Sequence, residues 1–292
     1  MSIEIYYFSG TGNSLYVARQ MQAMLPDVRL TPIVSLLERD VIHSESRIIG
    51  FVFPNFCLTI PIPMYEFLLK LDLSQADYLF AVCTRGGSPS QAFAYINRLI
   101  KPQGKQLQAA MLLTMPWNHP VGKENLPGKN TQIRIGELEA ILQEKLPAFC
   151  RAVAAGEPDL VEDTDADLEL SSGIKLFDLL VSKPFNFKSH RYMYQRIMKF
   201  GADETCSGCG TCETVCLSQK IVLQNGRPVW QEEIPCYACY ACINYCPQQA
   251  VQVLSNGLIK SVSPQLKRYH HAAVGVMDIA AQRGMLSKEE TK

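Results

Sequence analysis

The first 155 residues alternate between short apolar runs and longer segments with helical periodicity. The apolar runs are typical of strands buried on both faces, and they cover residues 3–8, 28–34, 48–53, 78–83 and 107–115. The segments with helical periodicity cover residues 13–25, 64–71, 89–100 and 131–155. This alternation predicts an α/β domain with a doubly wound parallel sheet of five strands. Ligands of such sheets bind beyond the carboxyl ends of the strands.

The pattern changes after residue 157, where we place the end of the first domain. Residues 156–170 are acidic, and residues 173–200 are basic and aromatic. We interpret residues 158–200 as a solvated linker followed by a helical bridge, because no clean amphipathic stripe favours a membrane-surface helix. Residues 201–255 form a second domain, and residues 256–292 a C-terminal tail. The pair His270 and His271 in this tail is interpreted as exposed.

The charge balance argues against nucleic acid as a partner, since 28 Lys and Arg residues balance 28 Asp and Glu residues. The N-terminus has neither the basic region nor the small-residue cleavage site of a signal peptide. Residues 48–65 carry no charge, but Pro54, Pro61 and Pro63 interrupt them. A buried strand and a loop explain this run better than a membrane span. We therefore expect a cytoplasmic protein without membrane insertion.

Eight of the eleven cysteines lie in two clusters that repeat with a period of 30 residues. Each cluster has the spacing C-x2-C-x2-C-x3-C, and the ligand candidates are Cys206, Cys209, Cys212, Cys216, Cys236, Cys239, Cys242 and Cys246. Zinc sites favour two separated C-x2-C pairs, so three evenly spaced thiols fit zinc poorly. A disulfide framework does not suit a reducing compartment. The spacing is typical of iron–sulfur clusters.

Residues 203–254 resemble the bacterial two-[4Fe–4S] ferredoxins. The resemblance implies one cluster bound by Cys206, Cys209, Cys212 and Cys246, and a second bound by Cys236, Cys239, Cys242 and Cys216. One residue departs from the family pattern, because Leu217 follows Cys216 where proline is usual. The added backbone N–H is expected to make the two clusters inequivalent in potential.

A loop rich in glycine and hydroxyl groups follows the first predicted strand and precedes the first helix. It comprises Ser9, Gly10, Thr11, Gly12, Asn13 and Ser14. No lysine follows the glycines, and Leu15 takes the place of the third glycine of a dinucleotide fingerprint. Neutral donors at a helix N-terminus suit a terminal monophosphate. The loop resembles the FMN phosphate loop of flavodoxins, [S/T]-x-T-G-x-[S/T], which implies a flavodoxin-like domain with non-covalent FMN.

Two further loops leave the strands where the flavin ring would lie. The candidate ring contacts are Pro54, Asn55, Phe56, Thr84, Arg85, Gly86 and Gly87. Phe56 is interpreted either as a stacking partner of the ring or as a core residue, and Arg85 either as a stabiliser of reduced flavin or as a surface charge. His119 is a candidate proton donor, with a loop hydrogen bond as the alternative. Cys57 and Cys83 are interpreted as small buried apolar residues.

To about residue 255 the chain resembles the flavodoxin–ferredoxin fusion family of anaerobic bacteria and archaea. The resemblance implies FMN, two [4Fe–4S] clusters and low-potential electron transfer with a redox protein partner. Three hypotheses stay open at this point. The chain passes single electrons between clusters and flavin, or it reduces a small organic acceptor at FMN with the clusters as its electron supply. The third is an interaction module whose clusters are structural and which binds no flavin.

Overall fold

Six parallel strands form the central sheet of the computed structural model, which describes residues 2–56, 58–88, 90–118, 132–162, 199–254 and 268–284. The strands are β1 (Ile3–Tyr7), β2 (Val28–Pro32), β4 (Ile48–Pro54), β6 (Tyr78–Arg85), β7 (Ala109–Thr114) and β8 (Asp159–Glu162). Their order is β2-β1-β4-β6-β7-β8, and every neighbouring pair is parallel. Two short strands, β3 (Ile42–His43) and β5 (Leu71–Asp72), pair with each other outside this sheet.

Four helices accompany the sheet in this part of the described chain. They are α1 (Asn13–Met24), α2 (Ile62–Lys70), α3 (Ala92–Ile100) and α4 (Gln132–Ala155). Helix α1 contacts α4, and α2 contacts α3. The four interior strands β1, β4, β6 and β7 are buried almost throughout, as expected of strands covered on both faces. The predicted five-stranded parallel arrangement is confirmed, and its order is consistent with a flavodoxin-like sheet.

The sixth strand was not predicted, because β8 lies where the acidic composition favoured a linker. Two of its four residues are acidic, and among the described strands its one neighbour is β7, from Ala109 opposite Asp159 to Leu112 opposite Glu162. An edge strand this short carries no hydrophobic alternation to reveal it. The sheet therefore continues past residue 157, while residues 163–198 of the predicted linker and bridge lie outside the described residues.

The period of 30 residues in the second half of the sequence appears again in its structure. Helix α5 (Thr211–Thr214) corresponds to α6 (Ala241–Asn244), and strand β10 (Ile221–Gln224) corresponds to β12 (Val251–Leu254). Strand β10 pairs antiparallel with β11 (Arg227–Trp230), and β12 pairs antiparallel with β9 (Lys199–Ala202). The left-handed backbone repeats as well, at Gly210 with φ 76° and at Tyr240 with φ 57°. The two repeats thus have the same local fold.

The second domain shares a hydrophobic core with the first. Val215, Leu217, Ala241 and Tyr245 belong to the same core cluster as the buried residues of the sheet. Burial of apolar side chains at such a contact is the main favourable contribution to its stability. The two domains therefore form one packed body in the described part of the chain.

The C-terminal segment, residues 268–284, crosses from one domain to the other. Its beginning is held by the second domain, where Arg268 donates to the carbonyl groups of Ile243 and Val251, each at 2.9 Å. Its end contains helix α7 (Val276–Ala280) and reaches the first domain, where Arg19 pairs with Asp278. Hydrogen bonds at both ends make the segment a clamp across the interface. No helix of the described residues is long and apolar enough to span a membrane.

The interpretation of His271 as an exposed tail residue was wrong. The side chain is buried, and its ring stacks on Tyr16 of α1 with 3.9 Å between ring centroids. His270 stacks on Tyr245 with a centroid distance of 4.3 Å. His270 is exposed as expected, and no periodicity in the sequence indicates the burial of His271, because a segment of irregular structure has none.

Candidate functional site

The first cysteine loop, residues 206–212, lies beside the second repeat. Cys206, Cys209, Cys212 and Cys246 line one shared space that is partly open to solvent. The loop is held against the turn between β10 and β11, where a Cβ atom on Gly208 would lie 2.4 Å from the carbonyl oxygen of Gly226. Gly208 also has a φ of 71°, so both its backbone conformation and its surroundings require glycine.

The second cysteine loop, residues 236–242, borders a similar space. Its lining includes Cys236, Cys239, Cys242 and Cys216. Each space thus combines three cysteines of one loop with the fourth cysteine of the other repeat. No three His, Cys, Asp or Glu side chains of the described residues are placed to hold a single metal ion.

Residues 205–251 match the family model of the 4Fe-4S dicluster domain. This match, together with the cysteine-rich loops, supports 4Fe–4S cluster binding and an iron–sulfur electron-transfer role for this part of the chain. No curated protein matches the chain. The ferredoxin-type domain predicted from the cysteine spacing is confirmed.

The two loops differ in their exposure to water. Cys209 of the first loop is exposed, and a hydrogen bond with the Thr211 hydroxyl at 3.4 Å lowers the pKa of its thiol. In the second loop, burial raises the pKa of Cys236 to about 11 and that of Cys239 to about 12. Protons must leave these thiols when they bind iron. The first loop reaches water at Cys209, although burial also raises the pKa of its Cys212 thiol to about 11.

Leu217 has a packing role that the sequence analysis did not predict. Its side chain is buried in the core that the two domains share. Leucine has a larger apolar side chain than the usual proline, so it buries more apolar surface in this core. The expected effect of its backbone N–H on cluster potential stays a prediction.

The glycine loop, residues 9–14, forms the turn from β1 into α1, and all six residues are buried. The Gly12 N–H donates to Ser9 Oγ at 3.1 Å, and the hydroxyl groups of Ser14 and Thr84 lie 2.8 Å apart. In the described part of the chain, the backbone N–H groups of Gly10, Thr11, Asn13 and Ser14 have no acceptor. An unsatisfied buried donor costs about 1–3 kcal/mol, so this set of donors fits an anion at the helix N-terminus.

Two buried side-chain oxygens also lack a partner among the described residues. They are Asn13 Oδ1 in the glycine loop and Thr59 Oγ1 in the loop after β4. Buried polar atoms without a partner are rare in native proteins and often indicate a missing ligand or water. Both oxygens can accept a hydrogen bond from a hydroxyl group. Asn13 Oδ1 lies in the same loop as the unpaired N–H donors, and this combination fits a phosphate ester that carries hydroxyl groups.

The loops after β4 and β6 meet at the carboxyl ends of their strands, where Pro54 is paired with Thr84. Asn55 links the two loops, since its side chain donates to Ser88 Oγ at 3.0 Å and accepts from Ser90 Oγ at 2.9 Å. Phe56 packs edge-on against Phe8, with 6.1 Å between ring centroids. Phe56 therefore contacts the core, as one of its two interpretations predicted.

Arg85 is buried, which rules out the interpretation of its charge as a surface charge. Its guanidinium donates to Thr114 Oγ1 at 3.2 Å and to the Ser88 carbonyl at 3.3 Å. Gly86 lies under Trp117, and a Cβ atom on Gly86 would be 2.6 Å from that ring. Gly87 has a φ of 97° and open space beside it. His119 and Cys57 lie outside the described residues, and Cys83 is buried as predicted.

Three residues that position the glycine loop were missed by sequence reasoning. Gln282 is fully buried and forms two hydrogen bonds with the backbone of Ser9, at 2.9 and 2.8 Å. Asn118 donates to Thr11 Oγ1 at 2.5 Å, and the His271 N–H donates to the Thr11 carbonyl at 2.9 Å. Asn118 had a weak signal, since it follows the fifth predicted strand. Gln282 and His271 lie in a tail without any motif, so no signal was present.

Burial of His271 predicts a pH dependence of stability. Burial and the neighbouring His270 lower the pKa of His271 from 6.5 to about 4. Its Nδ1 accepts a hydrogen bond from the Ala273 N–H at 3.2 Å, which requires the neutral ring, while Glu139 lies 3.9 Å from Nε2. As the pH falls from 6.5 toward 4, the unfolded chain binds a proton that the folded chain does not. Stability should therefore decrease, by up to about 3 kcal/mol for this group.

Unfolding free energies of the wild type and His271→Gln, measured across this pH interval, test the prediction. The unfolding free energy of the variant should decrease less toward low pH than that of the wild type, because glutamine does not titrate. Equal slopes for the two proteins would contradict it.

Proposed function

We propose that this chain exchanges single electrons between two [4Fe–4S] clusters and a non-covalently bound FMN. The observation that carries the proposal is a direct contact between the two candidate sites. A Cβ atom on Gly10 would lie 2.3 Å from the carbonyl oxygen of Cys239, so the glycine loop and the second cysteine loop touch through their backbones. A fusion that places a flavin loop against a cluster loop suits electron exchange between them.

The residues of the glycine loop are the proposed phosphate site. The free N–H groups of Gly10, Thr11, Asn13 and Ser14 would donate to the phosphate, together with hydroxyl groups of the loop. Asn13 Oδ1 and Thr59 Oγ1 are available for hydroxyl groups of the ribityl chain. When bound, FMN supplies a centre that accepts either one or two electrons, whereas each cluster passes one.

The loops proposed to hold the ring favour electron transfer over reduction of an organic substrate. Trp117 covers the backbone of Gly86, and Phe56 lies against Phe8. Trp117 would therefore restrict the space that a second organic molecule needs beside Gly86. The buried guanidinium of Arg85 supplies positive charge at the same end of the sheet, which would stabilise a reduced, anionic flavin.

Cofactor content after anaerobic purification tests this function most directly. Flavin released by heat, together with iron and sulfide assays, should give one FMN and about eight irons per chain, as two four-iron clusters require. A chain with clusters and no flavin would instead support the interaction-module hypothesis. Steady reduction of a small organic acceptor, with a chemical reductant such as dithionite as the electron source and no redox partner protein, would favour the reductase hypothesis.

Replacing Thr11 and Ser14 by alanine should remove FMN and leave the cluster absorbance unchanged. The change deletes two hydroxyl groups of the proposed phosphate site, including one that lies 2.8 Å from Thr84 Oγ1. Each lost hydrogen bond to a charged phosphate is worth about 1.5–3 kcal/mol, so flavin affinity should fall at least about 100-fold. Fluorescence of flavin in the filtrate after ultrafiltration measures the loss. The exposed Ser74→Ala is the matched control, and full retention of flavin by the double variant would refute the loop assignment.

A further inference from the structure

The two cysteine loops have different neighbours, and this difference gives them different roles. The second loop packs against the first domain. Tyr237 packs edge-on against Phe8 at the end of β1, with 6.3 Å between ring centroids. Tyr237 and Cys239 both pack against the core that the two domains share. Through Tyr237 and Cys239 this loop therefore faces the first domain, whereas Cys236 is half-buried beside a cleft that is open to solvent.

Hydrogen bonds continue this contact into the glycine loop. Asn244, at the end of the helix that follows the second loop, donates from Nδ2 to the Asn118 carbonyl at 2.9 Å. Asn118 in turn donates to the Thr11 hydroxyl at 2.5 Å. A fully bonded polar network in a buried interface fixes the relative position of the groups it connects. The second loop and the proposed phosphate site are thus held in one arrangement.

The first loop faces the opposite kind of surroundings. Cys209 is exposed, and Ser207 beside it is exposed as well. The loop packs on the turn at Gly226, which belongs to its own domain. A cluster held here would lie within reach of another protein's redox centre without any rearrangement of the two domains.

We propose that the second cysteine loop exchanges electrons with the flavin and that the first loop exchanges them with an external one-electron carrier protein. This inference rests on the proposed function and adds the order in which the two clusters pass electrons. Each step moves one electron, so the donor is oxidised by one electron and the acceptor reduced by one. No covalent bond forms or breaks. The carrier protein supplies or accepts the electron at the exposed loop.

Two matched variants allow each cluster to be recognised without removing a ligand. Thr211→Val deletes the hydroxyl 3.4 Å from Cys209 Sγ, and Ser218→Ala deletes the hydroxyl 3.7 Å from Cys216 Sγ. Hydrogen bonds to cluster sulfurs raise the reduction potential. Thr211→Val should therefore lower the potential of the first-loop cluster only, and Ser218→Ala that of the second-loop cluster only. These shifts assign the two signals in electron paramagnetic resonance spectra.

The assigned signals are then measured on the full-length, cluster-containing protein with a dysprosium chelate in solution. The chelate should speed the relaxation of the signal assigned through Thr211 and leave the other nearly unchanged. Equal enhancement of both signals, or a larger effect on the signal assigned through Ser218, would overturn the proposal. This measurement does not depend on flavin. It therefore shows which cluster lies nearer to solvent even if the proposed function fails.

A second arm compares the spectra of the wild type with those of the flavin-free Thr11→Ala, Ser14→Ala protein. Loss of flavin should change the line shape or potential of the signal assigned through Ser218 and leave the signal assigned through Thr211 in place. A change confined to the Thr211 signal would overturn the proposal. If the wild type contains no flavin, the proposed function is contradicted, and the role of the second loop in flavin exchange is contradicted with it.

Discussion

Gly10→Ala should lower the free energy of unfolding by about 1–3 kcal/mol and open the contact between the glycine loop and the second cysteine loop. The added Cβ atom would lie 2.3 Å from the carbonyl oxygen and 2.7 Å from the Cβ atom of Cys239. A backbone carbonyl cannot move aside as the end of a flexible side chain can, so one loop must shift. Gly10 is not among the glycines with positive φ, and alanine therefore adds no backbone strain of that kind.

Denaturant unfolding under anaerobic conditions measures the loss of stability, and flavin release measures the opening of the contact. Gly136→Ala is the matched control, because it adds the same methyl group to α4 with nothing within 4 Å of it. Alanine is favoured over glycine inside a helix, so this control should gain up to about 1 kcal/mol. If Gly10→Ala unfolds like the wild type and retains flavin equally, the described contact between the two loops is wrong.

Cys246→Ala should abolish the cluster of the first cysteine loop, although Cys246 lies only four residues after Cys242 of the second loop. Cys246 shares its cavity with Cys206, Cys209 and Cys212. Cys216→Ala should abolish the other cluster for the corresponding reason. In each variant the iron content should fall from about eight to about four per chain.

The surviving cluster distinguishes crossed from uncrossed ligation. The cluster left in Cys246→Ala should respond to Ser218→Ala and not to Thr211→Val, and the cluster left in Cys216→Ala should respond to Thr211→Val. If each run of four cysteines bound its own cluster, the cluster left in Cys246→Ala would respond to both changes and the cluster left in Cys216→Ala to neither. Cys83→Ala and Cys150→Ala serve as controls, because both thiols are buried in the core of the first domain, and their iron content should stay unchanged.

Much of the first domain was predictable because its strands are continuous apolar runs. The predicted strand at residues 48–53 corresponds to β4 (Ile48–Pro54), and the predicted helix at 13–25 to α1 (Asn13–Met24). Burial on both faces gives such strands a signal that does not depend on their neighbours. Strand β8 has no such signal, since it is short, acidic and at the edge of the sheet. Its identity as a strand comes from its pairing with β7.

The residues of the candidate sites also divide into those that the sequence reveals and those that only the structure reveals. Cysteine spacing and the glycine loop are local features, so the residues proposed to bind clusters and phosphate were visible in the sequence. Gln282 and His271 were not visible as site residues. Gln282 lies 273 positions from its partner Ser9, and no periodicity connects residues so far apart. Such contacts arise only when remote surfaces pack together.

The sequence by itself determined the chemistry available to this protein: eight thiols in two equal runs, and a glycine loop at the end of a buried strand. Bond lengths and the few allowed backbone conformations set the reach of residues two or three positions apart, so short motifs carry their own geometry. The tertiary structure alone decided that Cys239 lies against Gly10, that Cys209 faces water and that the C-terminal segment clamps the two domains. Those contacts depend on how the apolar surfaces of both domains fit together. Burial of apolar surface has no preferred direction, so no local motif in the sequence specifies which residues will meet.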